Sequence, residues 1–591
     1  MELRVDNQTK DSGGTVTVAT NGSAPAASLL GAACQEFKVP MDPRLGLYTK
    51  NNVMLSDRKT ITDYGLNNGD TVYLRPKREG DDLLFLLNWR VLAIVLLLIS
   101  IVGLIVLISI YAATAGRAPF IYGVVIDAGS SHSEATLYHW HGSKYFGTGK
   151  AEQVAHAETD AAGISEMRPR EVQRSIDALL QKIKEFLPAT EIERTPVFLA
   201  ATAGMRLLNI TSEVRADIVL LAAETAIKGS GMTFGGAEIL TGQDEGLSAW
   251  LSANYLLDRL PRSHLSDSGP LVGAMDCGGA STQIAFEVEP ERQHREFRRM
   301  KLYGHRFNVF SRSYLCFGSN EAFNRYLMML LREQSYDVDK PIESPCHPKG
   351  FDGSTALSKI ITPCTTHKDM PDNLRDMNLT DLRIIGTGKP LWCSSTVSHL
   401  FSEKECRAMK FNECFSKVPI DVPNINYTAI SGFTYTIQQL RFEGRNMSDL
   451  KQTTQAFCSL DFDTMKQDYF PEAAAVKYAP SACFRANYMR SLLENYGVSD
   501  ETFANVDFRR QAKGYNLGWS LGYMINKTNA IPEAEPYPAL VPLPWFTTVL
   551  LVLAALLAAG VFSLLTARRR SHRIRAKDND KDNLPMKETV A

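Results

Sequence analysis

The chain has 591 residues, a formal net charge of −1 and 45% hydrophobic residues. That length accommodates several domains, and so balanced a charge leaves no global footprint for nucleic-acid binding. Lys and Arg do cluster locally, beside two apolar stretches, and there they bear on topology.

Residues 1–82 read as an N-terminal α/β module. "TVTVAT" alternates as a strand, and "SAPAASLLGAACQEFKV" has the apolar spacing of a helix with Ser23 as its N-cap. "RLGLYTKNNVMLSDRKTITDYGLNNGDTVYLRPK" then gives short strands broken by Asn-Asn, Ser-Asp and Asn-Gly-Asp turns. This stretch resembles ubiquitin-like β-grasp domains at Asp57, Thr60, Asp63, Tyr64, Gly65, Asp70 and the "TVYL" strand. Where ubiquitin would end in Gly-Gly, the chain continues as "RPKREGDD". The resemblance therefore implies docking to an unknown cytosolic partner rather than conjugation. A solubilising or sorting domain is the other reading.

Two stretches are long enough to cross a hydrocarbon core about 30 Å thick: residues 91–112 and 545–567. The first begins too far from Met1 for a signal peptide. Arg75, Lys77, Arg78 and Arg90 precede it, only Arg117 follows closely, and "RRRSHRIRAK" follows the second stretch. The positive-inside rule puts both termini, including a tail at 568–591, in the cytosol. The segment between the spans is then extracellular or lumenal. Gly103 and Gly560 are candidate helix-contact positions, compatible with homo-oligomers through the spans.

Eight of the ten cysteines lie between Cys316 and Cys483. An even set in a non-cytosolic segment points to disulfides, and no C-x-x-C spacing suggests zinc. Cys34 and Cys277 stand apart. In that compartment Asn209, Asn378, Asn426, Asn446 and Asn526 are candidate glycan acceptors, whereas Asn7 and Asn21 are not.

The chemistry concentrates in two segments of matching shape: "VVIDAGSSHSEATLYHW" at 124–140 and "VGAMDCGGASTQIAFEV" at 272–288. Each is an apolar strand, an Asp, a small-residue turn with glycine, and a second strand. Such turns let backbone N–H groups approach an anion closely, and Ser130, Ser131, Ser281 and Thr282 add hydroxyl donors. Asp127 and Asp276 need another reason, because a carboxylate repels phosphate. A hydrated Ca²⁺ or Mg²⁺ between the two turns reconciles them. No Walker-type loop is present, so no Lys is required at phosphate.

The paired turns resemble the actin-like, sugar-kinase-like fold. More narrowly, "DAGSSHS" at 127–133, "ATAGMRLL" at 201–208, "LTGQDEGLSAWLSANYLL" at 240–257, "DCGGASTQIAFE" at 276–287 and "GWSLGYM" at 518–524 resemble, in order, the ecto-nucleoside triphosphate diphosphohydrolase or apyrase family. Cys277 and Ser133 depart from the family pattern without removing a catalytic group. The resemblance implies a two-lobed α/β ectodomain, with lobe I at 118–241 plus 510–540 and lobe II at 242–509. It implies an enzyme that removes terminal phosphates from nucleoside tri- and diphosphates with Ca²⁺ or Mg²⁺. Rival readings are a phosphotransferase or polyphosphatase of the same fold, and a non-catalytic nucleotide sensor.

The resemblance also assigns roles. Glu245 becomes the general base, Ser281 and Gln283 orient the attacking water, and Thr202 lies near the metal and water. Gly129, Ser130, Ser131 and His132 on one turn, and Gly278, Gly279, Ala280 and Ser281 on the other, bind phosphate. Asp127 and Asp276 hold the metal through water. Asp244 is read as structural, His132 as a packing residue or one that supports the site from behind rather than a metal ligand, and Arg206 as either an anion contact or a surface cation. Tyr435 and Tyr478 are candidates for stacking on the nucleobase; the alternative is that both pack in a core. Gly514, Gly518 and Gly522, four apart, would make one smooth stripe on a helix. The implied disulfides are Cys316–Cys364, Cys346–Cys393, Cys406–Cys414 and Cys458–Cys483, with a swap among the first four cysteines left open.

Overall fold

The computed structural model describes residues 1–582 apart from 10–12, 57–58, 78, 115–117, 160, 261–268, 290–295, 376–379, 412–413, 416–421 and 537–539. Arg78, Arg117, Asn378 and the last residues of the tail lie outside the described set. The chain forms two compact units, Met1–Ala115 with Pro538–Ala591, and Gly116–Tyr537.

The first unit opens with a mixed four-stranded sheet. Strands β1 (Glu2–Asn7), β2 (Gly14–Ala19), β3 (Leu45–Tyr48) and β4 (Thr71–Pro76) lie in the order β2-β1-β4-β3, with β1 and β4 parallel. Helix α1 (Ala26–Glu36) sets Leu29 and Ala33 into a core with Leu3, Val5, Val72 and Leu74. The N-cap is Pro25, not Ser23. Ser23 instead donates to Asn21 Oδ1 at 2.9 Å, closing a local turn before the helix begins.

Helix α2 (Glu79–Thr114) and the helix Leu543–Asp582 contain apolar spans, Arg90–Ala113 and Leu543–Arg569, long enough to cross a membrane and almost entirely unburied. The two helices pack on each other, with Gly103 against Leu553 and Gly560 against Leu97. Both glycines are thus taken up by contacts within the chain.

The second unit is a mixed α/β fold in which one strand pattern occurs twice. Strands β5 (Phe120–Ala128), β6 (Ser133–His141), β7 (Glu152–Glu158), β8 (Pro196–Ala201) and β9 (Thr233–Ile239) form a sheet in the order β7-β6-β5-β8-β9. Strands β10 (Gly273–Cys277), β11 (Ser281–Glu287), β12 (Phe297–Leu302) and β13 (His305–Leu315) belong to the second. A small separate sheet, β14 (Ile342–Ser344), β15 (Asp352–Ala356) and β16 (Asp381–Gly386), precedes β17 (Tyr427–Ser431) and β18 (Val506–Phe508). The second large sheet runs β12-β13-β11-β10-β17-β18. In both, antiparallel strands are followed by two parallel ones, three antiparallel strands in the first sheet and four in the second, where β12 adds an edge.

Alternation along the strands sorts the faces. On β5, Val124 and Ile126 meet helices α3 (Pro169–Lys184) and α5 (Glu213–Gly229), while Val125 faces a central layer. On β10, Met275 meets α7 (Ser319–Glu333), and Ala274 faces the same central layer. That layer holds α6 (Gly242–Leu256), packed on the second sheet, and the helix Ser520–Thr528, packed on the first. The two helices cross at Gly522, where a Cβ would stand 2.0 Å from Ser248 O. The expected glycine stripe does not form. Gly514 sits at φ +80° in a tight hairpin turn, and the helix starts only at Ser520.

Cys316–Cys364, Cys346–Cys393, Cys406–Cys414 and Cys458–Cys483 are bonded, the pairs implied by the resemblance. Cys34 and Cys277 are free and buried. Asn209, Asn426 and Asn526 are exposed. The beginning and end of this unit adjoin: Gly142 donates to Pro119 O at 2.8 Å and accepts from Ala534 N at 3.1 Å.

Candidate active site

The same alternation aims the predicted carboxylates. Asp127 shares a strand face with Val125, and Asp276 with Ala274, so both extend the central layer past the ends of their strands. Ser281 and Gln283 share the central face of β11 with Ala285. The sheets therefore turn four of the predicted groups toward the first turn of α6, which carries Glu245.

The two hairpin turns meet. Asp127 pairs with Glu134 and Asp276 with Gln283, leaving Gly129–His132 and Gly278–Ala280 as the connecting turns. A Cβ on Gly279 would lie 2.5 Å from Ser130 Oγ, so only glycine lets the turns come this close. Ser131 is exposed, Ser130 half-buried, and Ala280 turns its methyl into a small core with Ala203, Leu207 and the Cys316–Cys364 bridge. Thr202 follows β8 as the N-cap residue of α4 (Ala203–Thr211), and its N–H donates to Ala128 O at 3.1 Å.

Thr241 caps α6 by accepting from Asp244 N, and its own hydroxyl donates to Asp244 Oδ2 at 2.6 Å. Asp244 is thereby occupied in the cap. Glu245, one residue on, points inward and is buried. Its Oε2 accepts from Arg206 Nη2 at 2.6 Å and from Gln283 Nε2 at 3.0 Å. Ser281 Oγ accepts from the same two groups at 2.9 and 2.8 Å. Because a carboxylate only accepts, its contact fixes the Gln283 amide with nitrogen toward Glu245.

Burial pushes Glu245 up to about 7, and Asp276 adds repulsion, while Arg206 pulls it back down. Burial also raises Asp276, and raises Asp127 well above the usual range with help from Glu134, Glu245 and Asp276. Cys277 is pushed up to about 12 by burial, which makes its thiol inert.

Asp127 Oδ1 and Asp276 Oδ1 are both shut off from solvent and accept no hydrogen bond. Orphaned carboxylate oxygens of this kind are costly unless a cation satisfies them. Two such oxygens, with two further carboxylates close by, fit a hard divalent ion that prefers oxygen donors and keeps part of its water.

Tyr435 and Tyr478 are 56% and 45% exposed, so neither packs in a core. Arg510 lies over the Tyr435 ring at 5.5 Å and Lys477 over Tyr478 at 5.1 Å. Two cations sit against these groups in ways that the sequence reading did not resolve. Arg206 is wired into Glu245 and Ser281, although only its place inside "ATAGMR" marked it. Arg485, close enough to Tyr478 for charge coupling, donates to Asn320 Oδ1 at 3.2 Å, and Asn320 N donates to Gly279 O. It bridges the second hairpin and the tyrosine, and no motif pointed to it.

Two glycine-containing turns thus meet beside a cluster of buried carboxylates. The family model of the GDA1/CD39 (nucleoside phosphatase) family matches residues 118–539. Ectonucleoside triphosphate diphosphohydrolase 1 of Mus musculus is 34% identical over 461 residues, covering 74% of this chain and 87% of that protein. Ectonucleoside triphosphate diphosphohydrolase 3 of Homo sapiens is 31% identical over 514 residues, covering 83% and 96%. The crystal structure of a nucleoside triphosphate hydrolase from Neospora caninum shares the fold, with TM-score 0.52, 16% identity, and coverage of 74% of this chain and 97% of that one. The chain belongs to the GDA1/CD39 nucleoside phosphatase family.

Proposed function

We propose that this chain removes terminal phosphates from nucleoside tri- and diphosphates, in the presence of Ca²⁺ or Mg²⁺, and stops at the monophosphate, which has no anhydride left to break. The observation that carries this is Glu245: a buried carboxylate titrating at about 7, at a helix N-terminus, joined to Ser281 through Arg206 and Gln283. A base poised near neutral pH can both take and hold a proton.

In this reading the backbone N–H groups of Gly129–His132 and Gly278–Ser281, with the hydroxyls of Ser130 and Ser131, cradle the phosphates. Ser281 and Gln283 hold the attacking water, with Thr202 beside it. Glu245 Oε accepts the proton as the water oxygen attacks the terminal phosphorus and the bridging P–O bond breaks, the shortened nucleotide leaving with that bond's electron pair; Arg206 steadies the carboxylate before the transfer. Asp127 and Asp276 would hold a hydrated divalent ion, which supplies charge neutralisation of the polyphosphate. Tyr435 and Tyr478, exposed and flanked by cations, support a stacking site for the base. The duplicated sheets support two lobes closing on the substrate. The mixed sheet β2-β1-β4-β3 with α1 supports a β-grasp reading of the head. The two apolar helices support a double-spanning protein, both termini cytosolic and the hydrolase outside or in a lumen.

The test is phosphate release from ATP, UDP and AMP with and without chelator, paired with Glu245→Gln. Tri- and diphosphates should be cleaved and AMP spared. Glu245→Gln should keep nucleotide binding and lose about 10²–10⁴-fold in kcat. Turnover retained by this variant removes Glu245 as the base.

A further inference from the structure

A second cluster of ligand-type side chains lies on β6 and β7, outside the Asp127–Asp276 pair. Glu134 on β6 stands directly opposite Glu158 on β7, and Thr136 opposite His156. Like charges facing across a strand pair repel, and such a pair persists when something positive lies between or beside them. His132, in the turn before β6, completes the group: one ligand atom from each of His132, Glu134 and Glu158 lies within 4.8 Å of the others.

Both imidazoles are oriented alike. His132 Nδ1 is 3.1 Å from Ser131 Oγ and its Nε2 is 2.9 Å from Glu134 Oε1. His156 Nδ1 is 3.2 Å from Thr136 Oγ1 and its Nε2 is 3.9 Å from Glu134 Oε2. In the metal-free chain His132 Nε2–H donates to Glu134 Oε1, so an ion bound here takes that proton's place, while the hydroxyls at Nδ1 hold the two rings facing one carboxylate. This is how outer hydrogen bonds set imidazoles for metal ligation.

We infer that His132, Glu134, His156 and Glu158 form a site for a zinc-type transition-metal ion, next to the Asp127–Asp276 pair but distinct in its ligands, with Glu134 opposite Asp127 across β5 and β6. Tetrahedral zinc with bonds near 2.0–2.2 Å needs donors about 3.3 Å apart; His132, Glu134 and Glu158 already stand within 4.8 Å of one another, and His156 Nε2 lies 3.9 Å from Glu134 Oε2. Two imidazole nitrogens and two carboxylate oxygens suit zinc, whereas Ca²⁺ and Mg²⁺ take oxygen ligands. The site thus discriminates against the ions proposed for hydrolysis. His132, read from sequence as a packing or supporting residue, becomes a ligand that ties the end of the first phosphate turn to β7.

The experiment uses the full chain in detergent, purified without a polyhistidine tag and stripped with chelator. Zn²⁺ is titrated calorimetrically in millimolar Mg²⁺, and Co²⁺ binding is followed by visible absorption. The expected result is tight binding of one Zn²⁺ per chain and an intense tetrahedral Co²⁺ spectrum. His156→Gln and Glu158→Gln should each weaken Zn²⁺ by at least about tenfold and lose that spectrum. Their zinc-free unfolding temperature and Mg²⁺-supported phosphate release should match the parent chain, which separates ligand loss from misfolding. No Zn²⁺ binding above that of Mg²⁺, or binding unchanged in both variants because the ion lodges at Asp127 and Asp276, overturns the inference. The readout is binding, so it stands whether or not nucleotides are hydrolysed.

Discussion

Arg206 sets the working pH of the proposed base. Its Nη2 lies 2.6 Å from Glu245 Oε2, and both side chains are largely withdrawn from water. Glu245 titrates at about 7 with this partner opposing burial. Breaking a buried ion pair by removing one partner costs roughly 3–5 kcal/mol. A buried acid escapes most of that cost by keeping its proton, and each pH unit of displacement corresponds to about 1.4 kcal/mol. In Arg206→Gln the carboxyl should therefore titrate at least about two pH units higher. A base titrating at about 7 is half ionised at neutral pH; displaced to about 9, it is about 1% ionised there. We expect kcat at pH 7 to fall about 50-fold and to recover as the pH is raised toward 9. The assay is phosphate release at saturating nucleotide from pH 6 to 10 by the intact chain. A pH-independent drop, with the acidic limb unmoved, would refute this reasoning and make Arg206 a direct substrate contact.

Three further outcomes are expected. Gly279→Ala places a methyl 2.5 Å from Ser130 Oγ. It should push the hydroxyl off the phosphate and lower kcat/KM about tenfold or more, the worth of one charge-assisted hydrogen bond, seen in initial-rate kinetics. In chelator, Glu245 holds a proton in the folded state between its ordinary value near 4.5 and about 7, which the unfolded chain has released. Stability must then fall as pH rises through that window, by about 3 kcal/mol, and divalent cation should restore it; denaturant curves at pH 5 and 7.5 measure both effects. Gly522→Ala drives a Cβ to within 2.0 Å of Ser248 O. Overpacking there should cost about 1–3 kcal/mol or more, and an unchanged melting temperature would count against the close crossing.

The duplicated hairpin was legible because its pattern is local: strand, acid, glycine turn, strand, with no dependence on distant partners. The disulfides followed from order along the chain once the family resemblance was in hand. What escaped was decided by tertiary contacts. Arg206 reads as an ordinary helical cation until α4 is seen beside α6. Arg485 has no signal because its partners, Asn320 and Tyr478, come from separate segments. Strand β1 hides behind its charged residues, since only Leu3, Val5 and Asn7 turn inward. Ser23 and the glycine stripe failed for a shared reason. A local propensity places a cap or a helix somewhere nearby, but the neighbouring turn chemistry, Pro25 in one case and the Gly514 hairpin in the other, fixes where the helix starts.

The meeting of Pro119 and Ala534 at Gly142 has a mechanical corollary. Both moorings of the second unit attach to the half built on β5 and the helix Ser520–Thr528, at the end of β5 remote from Asp127. Eight residues along the chain, about 26 Å at 3.3 Å per residue, separate Pro119 from Asp127. The half carrying Asp276, Gln283 and the disulfides has no mooring of its own. Both chain connections of that half run back into the β5 half, through α6 on one side and the 511–516 hairpin on the other.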